Sequence, residues 1–158
     1  MNVAELRLIA TLIRDHRWAA LATQGSEGPE ASWVAYVAEE DFSGFLLLLS
    51  RLAAHTHNLL ENPRACLAIS EQDKEGGDPQ ELARVMIQGS VASIPAETTD
   101  YQASASRYQL RLPQAKRLFT FSDFLLLRLT PTKVRFVGGF ARAYTLNARQ
   151  LQEAAVFS

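Results

Sequence analysis

The chain has 158 residues, of which 47% are hydrophobic and 21% charged, and a formal net charge of -1 at pH 7. That balance suits one globular domain over residues 1–158, and with no basic tract it excludes a hold on nucleic acid or on an anionic membrane. The run Phe45 to Leu49 is too short to span a bilayer, Glu5, Arg7, Arg14 and Asp15 interrupt any leader-like pattern, and a lone Cys66 rules out an internal disulfide, so a cytoplasmic location is expected.

Residues 3–14 place Val3, Leu6, Ile9, Ala10 and Ile13 at helical spacing and predict an amphipathic opening helix. Trp18 to Thr23 reads as a strand buried on both faces, and Gly25, Gly28 and Pro29 mark a turn. Residues 31–37 are β-branched and aromatic and predict a second strand. Gly44 to Leu49, apolar throughout, predicts a third, central one. Short links between these three imply an antiparallel meander. A helix is expected over 50–61, stopped by Asn62-Pro63, followed by a strand over 64–70. Residues 71–80 are charged, carry Gly and Pro, and read as a solvated loop. A long strand over 82–94 should be broken or bulged at Gly89. Helix over 96–118 is interrupted by Pro113. Two strands, 124–129 and 133–137, flank Thr130-Pro131. Gly138-Gly139 turns the chain into a last strand over 140–146, and Asn147 caps a short closing helix. The tally is about seven strands with inserted helices and no βαβ alternation. The fold class is therefore mainly β with α insertions, an antiparallel barrel.

The chemistry concentrates at the junction of the third strand and the next helix. A helix start leaves backbone N–H groups unpaired and carries the positive end of the dipole, so it favours an anion. Ser50, Arg51, His55, Thr56 and Asn58 add side-chain donors there. On these local features alone, plain capping of the helix by Ser50 is the simpler account. His55 and His57, two apart on a helix, point in opposed directions and cannot share a metal. His16 reads as an ordinary polar surface or interface residue. Ser32, Val34 and Tyr36 share one strand face, and Trp33 and Ala35 the other. Trp33 and Tyr36 suit core or dimer packing, Arg84 a surface charge or an anion contact, and Cys66 a buried, inert thiol. No nucleophile elbow supports a hydrolase.

The segments 21–36, 46–67 (LLLLSRLAAHTHNLLENPRACL), 83–91 (ARVMIQGSV), 107–108, 121–129 (FSDFLLLRL) and 134–146 (VRFVGGFARAYTL) together resemble the pyridoxamine 5′-phosphate oxidase-like FMN-binding split barrels, and within them the haem-utilisation branch. The resemblance covers nearly the whole chain. It implies that this barrel is an antiparallel split β-barrel, and that it forms a homodimer with FMN at the subunit interface. Ser50, His55, Thr56 and Asn58 match the phosphate motif, and Ser32, Val34 and Tyr36 match the strand along the flavin ring. Arg84 matches an arginine that approaches the flavin from the partner side.

The resemblance thus implies an FMN flavoprotein acting as an oxidoreductase on a small-molecule substrate. The alternative is a non-catalytic FMN or haem carrier linked to haem utilisation. A third reading, a structural dimer without cofactor, is opposed by the retained 50–58 cluster. The arginine-rich substrate elements of the oxidase branch have no counterpart here. Neither has the C-terminal histidine of the haem-degrading members, so neither of those two activities is expected in its usual form.

Overall fold

The computed structural model describes residues 1–157. Helix α1 (Val3–Asp15) is started by Asn2, whose side chain accepts from the Glu5 N–H while Glu5 reaches back to the Asn2 N–H. Its buried stripe, Ile9, Ala10, Leu12 and Ile13, follows from the helical period. Strands β1 (Trp18–Gly25) and β2 (Gly28–Ala35) form a hairpin. Then come β3 (Val37–Ala38), β4 (Phe45–Ser50), α2 (Ala54–Glu61), β5 (Arg64–Ser70) and β6 (Arg84–Ser93). The chain continues through α3 (Thr99–Arg111), a 3-10 segment (Pro113–Thr120), β7 (Phe124–Val137), β8 (Ala143–Asn147) and α4 (Ala148–Ala154). Asn147 caps α4 through a second reciprocal pair, with Gln150.

The sheet order is β2-β1-β5-β6-β7-β4-β3, with β8 added on β7. Every pairing among the described residues is antiparallel. The two ends of this order, β2 and β3, are separated in the chain by Tyr36 alone. A sheet whose ends are covalent neighbours cannot lie flat, so it curls into a half-barrel. Leu21, Leu67, Ile87, Leu129 and Phe136 fill its interior. Tyr36 marks the seam: its N–H donates to the Arg17 carbonyl at 3.1 Å and its hydroxyl to the Ile13 carbonyl at 2.8 Å. A second apolar cluster lies outside the barrel. There Tyr108, Ala105 and Leu112 cover Leu46, Leu48 and Leu126.

Several expectations need correction. Strand β1 is buried on one face only, alternating with exposed Trp18, Ala22 and Gln24. The first three strands do not form a meander, because β4 pairs with β3 and β7. Residues 124–137 form one strand rather than two. Within it Gly89 faces Pro131 and Gln88 faces Lys133, leaving Thr132 as the extra residue of a bulge. The bulge lets the inward set change from odd (Leu127, Leu129, Pro131) to even (Val134, Phe136) without losing the core face. Proline is tolerated there because the ladder is already disrupted. A side chain at position 89 would bring a Cβ within 2.3 Å of the Thr130 carbonyl oxygen, which is why glycine stands there. The strands number eight among the described residues.

Candidate functional site

Helix α2 begins later than its sequence pattern implies. Ala53 is the N-cap and offers no side-chain cap. Ser50 lies before the turn that precedes α2. Its hydroxyl donates to Asp123 Oδ2 at 2.6 Å and accepts from the Leu52 N–H at 3.1 Å. The Arg51 N–H donates to the Asp123 carbonyl at 2.7 Å. Asn58 Nδ2 donates to Thr23 Oγ1 at 3.1 Å and to Glu30 Oε2 at 3.0 Å, tying α2 to β1 and β2. Of the donors grouped by the sequence, Ser50 and Asn58 are therefore engaged internally. Two carboxylates, those of Asp123 and Glu30, stand among them. A carboxylate beside a phosphate raises the cost of binding it.

His55 is half-buried, and loss of solvent pushes its pKa below the usual imidazole value. Thr56 is fully buried and its hydroxyl has no partner; the Ser32 hydroxyl is likewise buried and unpaired. Val34 and Tyr36 are core side chains, and burial pushes the Tyr36 phenol well above its ordinary value. Arg84 lies at the far end of β5 and β6 from α2, paired in register with Ser70. Its Nη1 donates to the carbonyls of Gln80 and Leu82, each at 2.9 Å, so it fastens the preceding turn. Cys66 is half-buried on the outer face of β5, where burial pushes its thiol up and away from reactivity. Among the described residues no cluster of His, Cys, Asp and Glu forms a metal site, and no helix is long and apolar enough to cross a membrane.

Two features lay beyond sequence reasoning. Trp18 and Trp33 stack across the β1–β2 hairpin with centroids 6.2 Å apart, yet remain 56% and 63% exposed. Around them the outer face of β1, β2 and β5 carries Ala20, Ala22, Ala31 and Ala68, a largely uncovered sheet surface of small apolar residues, with Ala35 at its edge packed against the α3 cluster. Alternation along 18–35 carried the signal for this face. The second feature is a cleft of about 320 Å³ between the C-terminal end of α1 and α3, lined by His16, Tyr36, Phe42, Arg107, Leu110 and Arg111 among others.

A curled antiparallel half-barrel with one helix set against its opening hairpin is the split-barrel class of fold, and a mycobacterial solved structure shares it closely. The chain belongs to the pyridoxamine 5′-phosphate oxidase family, whose model matches residues 7–138. That solved structure, a heme binding protein from Mycobacterium smegmatis, is 30% identical with a TM-score of 0.81, covering 97% of this chain and 61% of that one. The heme oxygenase HOZ of Arabidopsis thaliana chloroplasts is 32% identical over 123 residues, 77% of this chain and 36% of the relative. Heme oxygenase HutZ of Vibrio cholerae is 26% identical over 133 residues, 83% of this chain and 74% of that protein. The chain thus spans only about a third of the plant relative.

These relatives correct the expectation of FMN. They are named for haem, and none of the three for a flavin. Within the predicted phosphate cluster, Ser50 and Asn58 bond to Asp123, Thr23 and Glu30.

Proposed function

We propose that this protein binds haem in haem utilisation and works as a homodimer. What carries the reading is the run of haem-named relatives over three quarters or more of the chain. The donor set suits the group. Haem asks for an imidazole, apolar surface for the macrocycle and cations for two carboxylates. The chain offers three histidines, clefts with apolar walls, and arginines on α1 and α3. When bound, haem would supply the iron and porphyrin chemistry; the protein's part is to hold and orient it and to limit water around it.

The second copy answers the uncovered face around Trp18 and Trp33. Contiguous exposed apolar surface on a sheet marks an interaction site, and alanines let two sheets approach closely. Self-association through one patch closes a two-fold pair.

Haem-binding without turnover is the first form of this proposal. The names of two relatives favour a second form, oxidative opening of the porphyrin by dioxygen with electrons from an added reductant. One experiment separates them. Haemin is titrated into the purified protein and the Soret band followed; a saturable shifted band is expected. Reductant and oxygen are then added. A persistent Soret band supports the carrier, and its decay into a biliverdin-like product with iron release supports the oxygenase. No saturable band overturns the haem reading altogether.

A further inference from the structure

Between Tyr101 and Ser122 the chain carries four cations, Arg107, Arg111, Lys116 and Arg117, and no carboxylate, although its net charge is -1. Spread out as they are, they form no basic tract in the sequence. The fold gathers them. α3 and the 3-10 segment press Ala105, Tyr108, Leu112 and Ala115 onto the sheet, so their other side is turned to water. Arg111, Lys116 and Arg117 are exposed there. Leu110, 86% exposed, and Phe121, 40% exposed, stand among them. Exposed apolar side chains interleaved with charge mark an interaction site.

These charges are not spent within the chain. Of the four, only Arg107 forms an ion pair among the described residues, with Glu40 at 3.2 Å. Arg111 Nη2 donates to the Arg14 carbonyl at 2.9 Å, which leaves its charge uncompensated. Arg117 lies over the Phe121 ring, 5.7 Å from the centroid, so the cation and the aromatic are held together at the surface. Beyond Arg107 the surface changes sign, where Glu39, Glu40, Asp41 and Asp100 gather. At the other end Arg17 adds one more cation. It lines a recess of about 350 Å³ with Trp18, Ala35 and Leu112, at the edge of the sheet face assigned above to the second copy.

We propose that this surface docks an acidic protein, with Arg111, Lys116 and Arg117 meeting its carboxylates and Leu110 and Phe121 forming the dry contact. Arginine and aromatic side chains are enriched at protein interfaces, and the planar guanidinium pairs with a carboxylate through two N–H groups. A field of one sign also speeds the encounter with an oppositely charged partner. A lipid surface fits less well, because the apolar side of α3 is spent on the sheet and is not free to enter a bilayer. A nucleic-acid backbone would pair with the cations but gains little from Leu110. Neither haem nor the second copy is needed for this contact.

The probe is a fluorescein-labelled synthetic peptide in which glutamates alternate with leucine and phenylalanine, titrated into the full chain and followed by anisotropy. Wild type should bind it saturably, and raising salt from about 0.02 M to about 0.3 M should weaken binding at least about tenfold. Amide shifts of isotope-labelled protein should fall on residues 107–121. The triple variant Arg111→Glu/Lys116→Glu/Arg117→Glu should abolish binding. Lys116→Glu/Arg117→Glu, which keeps the Arg111 bond to the Arg14 carbonyl, stands in for it if the triple variant fails to fold by circular dichroism. Leu110→Ser should weaken binding at least about threefold with the salt dependence kept. A peptide of glutamate alone should bind more weakly than the mixed one. No saturable binding at low salt, shifts confined to other residues, or equal binding by a folded charge-reversed variant overturns the assignment. Tighter binding of wild type to phosphatidylserine vesicles or to duplex DNA than to the peptide also overturns it, and gives the surface to a lipid or a nucleic acid instead.

Discussion

The outer surface of the sheet is treated in two opposite ways. Over β4 and β7 it is apolar and large (Leu46, Leu48 and Leu126), and α3 with its following 3-10 segment covers it. Over β1, β2 and β5 it is small, mostly alanine, with two stacked tryptophans, and the described chain covers only its Ala35 edge, against the α3 cluster. The difference teaches what each face is for. A leucine face must be buried by the chain itself, because leaving it in water costs about 1.5–3 kcal/mol per side chain. An alanine face costs far less to leave bare while a partner is absent, and it admits a close approach when one arrives. A clip holds the cover in place. Arg128 on β7 binds Asp100 of α3 through two bonds of 2.7 Å and Ser104 at 2.9 Å, while its Nε donates to Glu39 at 2.8 Å.

The largest break in this comparison should come from the covered face. Leu126 is 1% exposed and sits between the sheet and α3. Leu126→Ala should cost roughly 3 kcal/mol of unfolding free energy, through lost transfer and a cavity that the rigid sheet cannot close. Urea denaturation reads it as a lowered midpoint with unchanged slope. Next is the clip. Arg128→Ala leaves the Glu39 carboxylate, which is only 19% exposed, without its cation and with the Ser43 hydroxyl as a remaining donor, and should cost about 2 kcal/mol; the pair is partly solvated, so less than for a fully buried one. The same measurement checks it, and α3 amides should exchange faster than those of the core strands.

A smaller effect should appear in acid. The hydrogen bonds from Arg128 hold the Asp100 carboxyl below its ordinary range. The unfolded chain therefore binds the proton more readily. The stability Asp100 contributes is present above the unfolded value and is lost as pH falls through the lower folded one, below about pH 4. Asp100 is about half exposed, so solvent screens much of this. The advantage of wild type over Asp100→Asn should be constant above about pH 5 and shrink below pH 4. A difference that grows in acid would contradict the clip.

Much of this architecture was legible in the chain. Asn147 with Gln150 and the turn at Gly138-Gly139 are local signals, and each acts within a few residues. Pro131 misled because proline normally excludes a strand interior; only the pairing with Gly89, 42 positions away in number, shows that a bulge receives it. Ser50 misled for a similar reason. Its partner, Asp123, is 73 residues distant, so a hydroxyl that fits a local cap is bound elsewhere. The oxidase-like fold was carried by whole-chain pattern, whereas the cofactor depended on which side chains remain free after folding.

The smallest expected effect on the isolated fold is also the one that separates the two faces most sharply. Trp33 is 63% exposed, and its contacts within the chain are chiefly the stack on Trp18. Trp33→Glu should therefore change the unfolding free energy of the single chain by no more than about 0.5 kcal/mol. Its effect falls on association, since a charge placed at the centre of an apolar pair interface must be desolvated in both copies. Light scattering over a dilution series should show wild type as a dimer and the variant as a monomer. The melting temperature of wild type should fall on dilution while that of the variant stays fixed, because only association makes stability depend on concentration. A variant that remains dimeric would place the second copy elsewhere, and a variant that loses stability as a monomer would show that the bare face is held by the chain after all.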